Sequence, residues 1–251
     1  MRRIVVLSDL QIPYHDKKAV AAFLRFLTAY QPDELASVGD EVDFPQISRW
    51  NRGMEGEYRG DLQTHVNAGV MFFEQVRNVY SGPVRVMRSN HMDRPLRYVR
   101  QYAPGLLGLK ALTVPSLLEF ERLNVIYHEQ PYELAPGWLL AHGDEAGGST
   151  PVPGGVAMRL ARKWGKSVVC GHTHKFGMQH DHSTVNGKVT RPLFGMEVGN
   201  FMDFKAAHYL KAGSANWQQG FGILYVDGKT VTPTLVPIAG GKFVVEGRQY
   251  Q

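Results

Sequence analysis

The sequence has 251 residues, of which 43% are hydrophobic and 20% charged, as in an ordinary soluble globular protein. This composition excludes compositional disorder, because apolar residues are plentiful and the net charge is modest. The single cysteine, Cys170, excludes a disulfide framework and a cysteine-rich zinc finger. A net charge of +5 and a pI of about 9.3 mildly favour a polyanionic partner.

The apolar segments are too short for a membrane protein. The longest uninterrupted runs, such as Val70–Phe73, fall far below the roughly 18 residues that a spanning helix needs. The apolar run Ile4–Leu7 near the start is also shorter than the core of a secretory signal, which has about 7–15 residues. We therefore expect a cytoplasmic protein that makes no membrane contact.

The first ninety residues predict alternating strands and helices. The β-branched run Ile4–Leu7 is typical of a central strand that is covered on both faces. Asp16 can cap a helix with apolar residues at helical spacing. The predicted elements that follow the first strand are a helix Lys17–Tyr30, a strand Leu35–Val38, a helix Leu62–Tyr80 and a strand Val84–Met87. This order favours parallel strands with helices packed on the sheet.

The second part of the chain is richer in predicted strands. These are Val125–His128, Trp138–His142, Ser167–Cys170, Pro192–Val198, Phe221–Val226 and Thr230–Val236. A helix Val156–Trp164 is predicted between the second and the third of them. Asp227-Gly228 is a strong hairpin signal between the last two. We find no repeat and no long linker, so we expect one α/β domain over residues 1–251.

Three segments are predicted to be loops, because they are rich in glycine, proline, arginine and aromatic residues. They are Phe44–Asp61, Met92–Pro115 and Glu145–Gly155. Each follows a predicted strand end that carries a candidate functional residue. Loops at the carboxyl ends of strands are where open α/β sheets bind ligands.

Polar side chains stand at the ends of five predicted strands. They are Asp9 and Gln11, Asp40 and Asp43, Asn90 and His91, His142, and His172 and His174. Because parallel strands present their carboxyl ends at one edge of a sheet, these residues can meet. Mixed oxygen and nitrogen donors suit Mn²⁺, Fe²⁺, Zn²⁺, Co²⁺ or Ni²⁺. Six or seven ligands suit two ions bridged by one carboxylate, an arrangement that catalyses in-line displacement at phosphorus.

The five motifs together resemble the calcineurin-like metallophosphoesterase superfamily. In order they read Asp-x-Gln, Gly-Asp-x-x-Asp, Asn-His, His and Gly-His-x-His, from Asp9 to His174, about two thirds of the chain. The resemblance implies a four-layer α-β-β-α sandwich of two mixed β-sheets flanked by helices. It also implies a dimetal phosphoesterase, in which a hydroxide between two ions attacks phosphorus.

The resemblance also implies a role for each residue that matches the family's pattern. One ion would be held by Asp9, Gln11, Asp40 and His174, and the other by Asp40, Asn90, His142 and His172. His91 would stabilise the transition state or protonate the leaving oxygen, and Asp43 would orient it. These assignments make His91 and Asp43 the expected catalytic pair.

The sequence departs from the family's pattern at three positions. Gln11 replaces a histidine ligand, so the first ion should bind more weakly and Mn²⁺ should be preferred. Ser89 replaces a glycine before Asn-His, and Met92 replaces the acidic residue after it, with Asp93 one position late. The departures leave the other ligands intact.

The most favoured activity is that of a phosphodiesterase acting on nucleotide or nucleic-acid diesters, including a cyclic nucleotide or a strand end. Four residues of the predicted loops could bind such a substrate: Arg49, Trp50, Arg52 and Arg94. A phosphomonoesterase or phosphoprotein phosphatase, and a non-catalytic scaffold with this fold, are the alternatives. The sequence does not specify an oligomeric state. His180 and His182 are expected to be exposed or locally hydrogen-bonded, and the other histidines, among them His65 and His208, to be structural or solvated.

Overall fold

The computed structural model describes residues 1–58, 60–189, 192–206 and 216–251. The strands, in chain order, are β1 (Arg2–Leu7), β2 (Glu34–Ser37), β3 (Val84–Met87), β4 (Val125–His128), β5 (Tyr132–Ala135), β6 (Trp138–Leu140), β7 (Ser167–Cys170), β8 (Phe176–Asp181), β9 (Thr184–Val185), β10 (Lys188–Val189), β11 (Leu193–Val198), β12 (Gly220–Asp227), β13 (Thr230–Pro237), β14 (Phe243–Val245) and β15 (Arg248–Tyr250). The α-helices are α1 (Lys17–Tyr30), α2 (Glu55–Tyr58), α3 (Leu62–Val79), α4 (Arg94–Tyr102), α5 (Val114–Leu117) and α6 (Gly155–Trp164). None of the helices in these ranges is long and apolar enough to cross a membrane.

Two mixed sheets form the centre of the fold. The first has the order β13-β12-β1-β2-β3-β4, in which β1 to β4 are parallel to one another and β12 and β13 are antiparallel additions. The second has the order β5-β6-β7-β11-β8, with β6, β7 and β11 parallel. Parallel strands within each sheet therefore end on the same side, which is where loops can build a site.

Three separate apolar clusters define four layers. Because side chains alternate along a strand, Val5 and Leu7 of β1 pack against α1 and α3, whereas Ile4 and Val6 face the other sheet. A third cluster joins α6 to the outer face of the second sheet through β7 residues such as Val168. The layers are thus helix, sheet, sheet and helix, which confirms the predicted four-layer sandwich.

The early strand-and-helix alternation is confirmed, including the cap of α1. The Asp16 carboxylate accepts hydrogen bonds from the backbone N–H groups of Lys18 and Ala19. The prediction that residues 92–115 form only a loop is wrong, because α4 lies within them. Of the residues in α4, only Pro95 is buried, so the helix lacks the apolar stripe by which helices are recognised in a sequence.

The strands β5 and β8 were not predicted either. Both lie at the edges of the second sheet. The β8 sequence, Phe176–Asp181, has no fully buried residue and so no clear alternation of apolar and polar positions. Edge strands of this kind take their conformation from the neighbouring strand, here β11, rather than from their own side chains.

Candidate metal centre

The predicted ligands meet where the two sheets face each other. The loops after β1, β2 and β3 carry Asp9, Asp40 and Asn90, and the loops after β6 and β7 carry His142 and the His172–His174 segment. The sequence predicted convergence at the edge of a sheet. The structure shows that both sheets contribute, each through the carboxyl ends of its parallel strands.

Main-chain hydrogen bonds hold the first two loops together. The Gln11 N–H donates to the Asp40 carbonyl and the Ile12 N–H to the Glu41 carbonyl, each at 2.8 Å. The carboxylates reach the other motifs. Asp40 Oδ1 accepts from the His91 N–H at 3.0 Å, and Asp9 Oδ1 accepts from the His172 N–H at 3.1 Å. Each carboxylate is therefore oriented by backbone from another motif.

Four of the predicted ligands have left-handed backbone conformations. The φ angles are 54° at Gln11, 59° at Asp40, 68° at His172 and 58° at His174. Such conformations cost non-glycine residues of order 1–3 kcal/mol and are found mainly where the surrounding structure enforces them, often in functional sites. Gly171 meets a different, steric requirement, since a Cβ there would lie 2.2 Å from Asp9 Oδ2.

One group of donors has the geometry of a metal site. Asn90 Oδ1 lies 2.7 Å from His142 Nε2 and 2.8 Å from His172 Nδ1, and Asp40 Oδ2 lies 3.4 Å from His142 Nε2. Donors bound to one ion at about 2.0–2.2 Å are separated by distances close to these, so a small movement would accommodate an ion. His142 Nδ1 lies 2.9 Å from the Val38 carbonyl, an outer hydrogen bond that leaves Nε2 to the metal.

The second group of donors, around Gln11, is less complete. Gln11 Nε2 lies 3.1 Å from Asp40 Oδ2 and 3.3 Å from His174 Nε2, which itself lies 3.7 Å from Asp9 Oδ1. Gln11 Oε1 and His174 Nδ1 are buried and have no hydrogen-bond partner among the residues that the structure describes. A half-turn of the amide would exchange its NH₂ for the oxygen, which is the atom that can bind a metal. In the present orientation the amide donates to Asp40, where a cation would lie.

Burial makes the charges in this site dependent on one another. Burial, reinforced by the nearby Asp40, raises the pKa of Asp9 to about 8. Burial also opposes ionisation of Asp40, but His91 and His142 outweigh it and hold the pKa of that carboxyl well below its usual range. In turn, burial opposes the charge on His142, but Asp40 raises its pKa to about 10. Two adjacent buried carboxylates thus need positive charge close by, and a divalent ion would supply it.

The other two imidazoles of the centre are held in their neutral form. Burial, together with the neighbouring His142, lowers the pKa of His172 to about 4. Burial is also the main cause that lowers the pKa of His174 to about 3. Neutral imidazole is the form that binds metal ions. The chemistry of the donor set therefore fits divalent metal ions.

The expected catalytic pair is in contact. His91 Nδ1 lies 2.6 Å from Asp43 Oδ1. Arg94 joins the pair: its Nη1 lies 3.2 Å from Asp43 Oδ2, and its Nη2 lies 3.2 Å from His91 Nε2. The carboxylate fixes the orientation of the ring, so that Nε2 remains on the side of Arg94 and the metal ligands.

The departures at Ser89 and Met92 have structural explanations. Ser89 Oγ accepts a hydrogen bond from the Asp40 N–H at 2.9 Å and so supports that ligand. Met92 is buried in the core beside α1 and α3, while Asp93 forms an ion pair with Arg88 at 2.6 Å. Arg88 also pairs with Asp144 at 3.0 Å. It thereby ties the loop of Asn90 to the loop of His142, a connection that the sequence did not reveal.

Two cavities meet at this centre. One has a volume of about 440 Å³ and the other about 1430 Å³, and Ser48, Trp50, His91 and Arg94 line both. All four predicted substrate-binding residues, Arg49, Trp50, Arg52 and Arg94, line the smaller cavity. The predicted metal ligands His172 and His174 line the larger one. The side chains of the centre are therefore accessible from two directions.

Three further residues near the site had no functional signal in the sequence. His65, expected to be structural or solvated, lines the larger cavity. Trp217 lines it too, and its ring centroid lies 4.2 Å from that of His174. Glu197 is buried on β11 and accepts a hydrogen bond from the Thr173 hydroxyl at 2.6 Å; Thr173 lies between the predicted ligands His172 and His174. His208 lies outside the described residues.

Comparison with solved structures identifies the class of fold. Vacuolar protein sorting 29 from Cryptosporidium parvum matches 99% of this chain and 97% of its own with a TM-score of 0.50 at 16% identity. Vps29 from Chaetomium thermophilum matches 100% and 98% with a TM-score of 0.50 at 12% identity. These proteins have the fold of the calcineurin-like metallophosphoesterases, and so does this chain.

Sequence comparison gives closer relatives. No protein-family model matches the sequence. The gene 54 proteins of Mycobacterium phages L5 and D29 are each 40% identical over 253 residues, which covers 100% of this chain and 99% of theirs. The chain belongs to the family of these phage gene 54 proteins.

The stability of the metal-free protein should fall as pH rises from about 7 to 9. Folding raises the pKa values of Asp9 and His142 to about 8 and 10, so the folded state binds more protons than the unfolded state in this window and their contributions are lost as pH rises. The lowered pKa values of His172 and His174 affect stability only below about pH 6.5, so they do not change its pH dependence between pH 7 and 9. Thermal melts of EDTA-treated protein measure this.

Asp9→Asn is the matched variant for this experiment, because it removes the titrating carboxyl and keeps its shape. Its melting temperature should fall less steeply over the same pH range. Mn²⁺ should raise the melting temperature of the native protein most at the alkaline end. A flat profile for the metal-free native protein would contradict the electrostatic account.

Replacing Gln11 by histidine should strengthen the weaker metal site. An imidazole nitrogen is a better donor to borderline ions than a carboxamide, so we expect about one tightly held ion per chain in the native protein and about two in Gln11→His. Metal content after Mn²⁺ loading and desalting, read by elemental analysis, measures the difference. Gln63→His, which adds an imidazole to an exposed position of α3, is the control. Two tightly held ions in the native protein would argue against this view of Gln11.

Proposed function

We propose that this protein is a cytoplasmic metal-dependent phosphodiesterase that acts on nucleotide or nucleic-acid diesters. The observation that carries the proposal is the position of His91 and Arg94 where the two cavities meet, beside the metal-binding group. A phosphodiester has two organic substituents on one phosphate. A phosphate at this junction could extend one substituent into each cavity, whereas a monoester would use only one.

Seven residues of this chain would hold the metal, which we propose to be two divalent ions, with Mn²⁺ the most suitable. They are Asp9, Gln11, Asp40 and His174 for one ion, and Asn90, His142 and His172, with Asp40 shared, for the other. Bound there, divalent ions would supply Lewis-acid chemistry, which activates water and offsets charge on the phosphate oxygens. The group formed by Asp40, His142 and His172, whose donor atoms lie within 4.8 Å of one another, supports this assignment.

His91 would handle the proton of the leaving group. With its Nδ1–H donated to Asp43, the ring accepts at Nε2 from the Arg94 guanidinium. Once that guanidinium binds the phosphate instead, Nε2 can hold a proton and deliver it to the leaving oxygen. Asp43 would stabilise the charged ring and keep its orientation. Arg94 would bind a non-bridging phosphate oxygen, since its guanidinium already lies beside His91 Nε2.

A non-catalytic binding protein is the second candidate, and Gln11 is the observation in its favour. The Gln11 amide lies within hydrogen-bond distance of both Asp40 and His174, so it can partly replace an ion in that half of the site. The contact between His91 and Asp43 favours the enzyme, because a scaffold has no need of an oriented imidazole beside the ligands. Turnover measurements separate the two.

The native protein should hydrolyse bis(p-nitrophenyl) phosphate with a higher kcat/KM than p-nitrophenyl phosphate. The two cavities can receive both substituents of the diester, and binding energy from each contributes to the rate. The measurement uses metal-stripped protein with Mn²⁺ added back, and the stripped protein without metal as the blank. Faster cleavage of the monoester would indicate a phosphatase, and no metal-dependent cleavage of either substrate would favour a scaffold.

His91→Ala should lower kcat by about 10²–10⁴-fold, the usual contribution of a general acid. Its metal content should stay at the native value, because His91 is not among the proposed ligands. The control is His180→Ala, which removes an exposed imidazole of β8 that lines neither cavity. Loss of metal together with turnover would instead assign His91 to the metal site, and unchanged turnover would remove it from the mechanism.

A further inference from the structure

The smaller cavity carries more positive charge than its own residues neutralise. Its volume of about 440 Å³ lies within the range of about 300–1,000 Å³ that is usual for small-ligand sites. Four arginines line it, namely Arg49, Arg52, Arg94 and Arg97. The one carboxylate among its described lining residues is Glu57, and that group already accepts a hydrogen bond from the Gly53 N–H at 2.6 Å.

The four arginines differ in their partners. Arg94 is bound to Asp43 as described above, and Arg97 lies 3.7 Å from Asp93. Within the described ranges of the chain, no carboxylate lies within 4.0 Å of the guanidinium of Arg49 or Arg52. The cavity therefore contains two guanidinium groups whose charge is available to a ligand.

Aromatic side chains hold these two groups in place. Arg52 Nη1 donates to the Tyr102 hydroxyl at 2.6 Å, and its guanidinium lies 5.0 Å from the centroid of the same ring. Arg49 lies 4.6 Å from the Trp50 ring centroid, and Tyr98 packs on Tyr102 at 4.8 Å. A guanidinium stacked on a ring keeps N–H groups in its own plane for hydrogen bonds to a ligand, and the stacking restricts the side chain before a ligand arrives.

The cavity also connects to the metal centre. Its lining includes Asn90 and His91 of that centre together with Arg49 and Arg52, which are not among the residues proposed to bind the scissile phosphate. An anion bound by Arg49 and Arg52 would therefore be a second one. Exposed rings such as Trp50, with 70% of its surface accessible, are surfaces on which nucleobases stack irrespective of sequence.

We propose that the smaller cavity binds the phosphate adjacent to the scissile one in a single-stranded oligonucleotide, with the intervening base against the aromatic side chains. The inference rests on the proposed phosphodiesterase function and specifies its substrate class. A cyclic mononucleotide has one phosphate and leaves Arg49 and Arg52 without a partner. An oligonucleotide supplies the second anion.

The test compares dinucleotides that differ by one terminal phosphate. With the Mn²⁺-loaded protein, kcat/KM is measured for d(TpT), d(pTpT) and d(TpTp). One of the two phosphorylated forms should exceed d(TpT) by about tenfold, the lower end of what hydrogen bonds to a charged group contribute. Which form gains identifies the strand direction in the cavity.

The variants Arg52→Gln and Arg49→Gln should each bring this ratio towards one. Arg100→Gln is the matched control, because Arg100 is exposed on α4 but does not line the cavity. The rate for the phosphorylated dinucleotide should also fall more steeply with salt in the native protein than in Arg52→Gln, since one phosphate contact is lost.

The outcomes separate this inference from the function on which it rests. If bis(p-nitrophenyl) phosphate is cleaved but neither terminal phosphate raises kcat/KM, the second-phosphate site is wrong and the phosphodiesterase stands. The same holds if a 3′,5′-cyclic nucleotide is cleaved with a higher kcat/KM than every dinucleotide. If no diester is cleaved, both proposals fail together. If Arg100→Gln lowers the ratio of kcat/KM between the phosphorylated dinucleotide and d(TpT) as much as Arg52→Gln does, the effect is one of general charge, and the second-phosphate site is wrong.

Discussion

Asp9 and Asp40 are both buried at the metal centre, close enough for the charge of one to act on the other, and much of the surrounding structure follows from their charges. Two ionised carboxylates cannot be buried together without positive charge between or beside them. In the metal-free arrangement Asp40 is stabilised by His91 and His142, while Asp9 holds its proton until about pH 8. Divalent ions would replace these protons and allow both carboxylates to be charged.

The sandwich of two sheets explains how such a site can form. Strands of both sheets end at the same place, so each sheet contributes a separate set of donors. The first sheet supplies the carboxylates and amides, and the second supplies imidazoles on the loops after β6 and β7. Backbone N–H groups from one set bind the carboxylates of the other, as between His172 and Asp9. Left-handed backbone at four of the ligands shows that this position is enforced by tertiary contacts.

The fold by itself leaves the activity open, because a fold of this kind also occurs in proteins named for vacuolar sorting. The side chains around the candidate metal group favour an enzyme. Asp43 orients His91, and Arg94 connects this pair to the cavities. The charge of Arg49 and Arg52 in the smaller cavity adds a feature that a small or uncharged substrate would not need.

Sequence patterns predicted the strand and helix order of the first ninety residues and the residues of the candidate metal group, and the family resemblance predicted the layer arrangement. The strands could be predicted because buried strands are uniformly apolar. The metal group could be predicted because polar residues directly after such strands are easily recognised, as Asp9 is after Ile4–Leu7. Edge strand β8 and helix α4 could not be predicted from the sequence, since few of their side chains are buried. Only the tertiary structure brought Arg88 between Asp93 and Asp144, placed Glu197 behind Thr173, and joined the two cavities at His91. Such contacts join residues far apart in the chain, and no local spacing or periodicity encodes them.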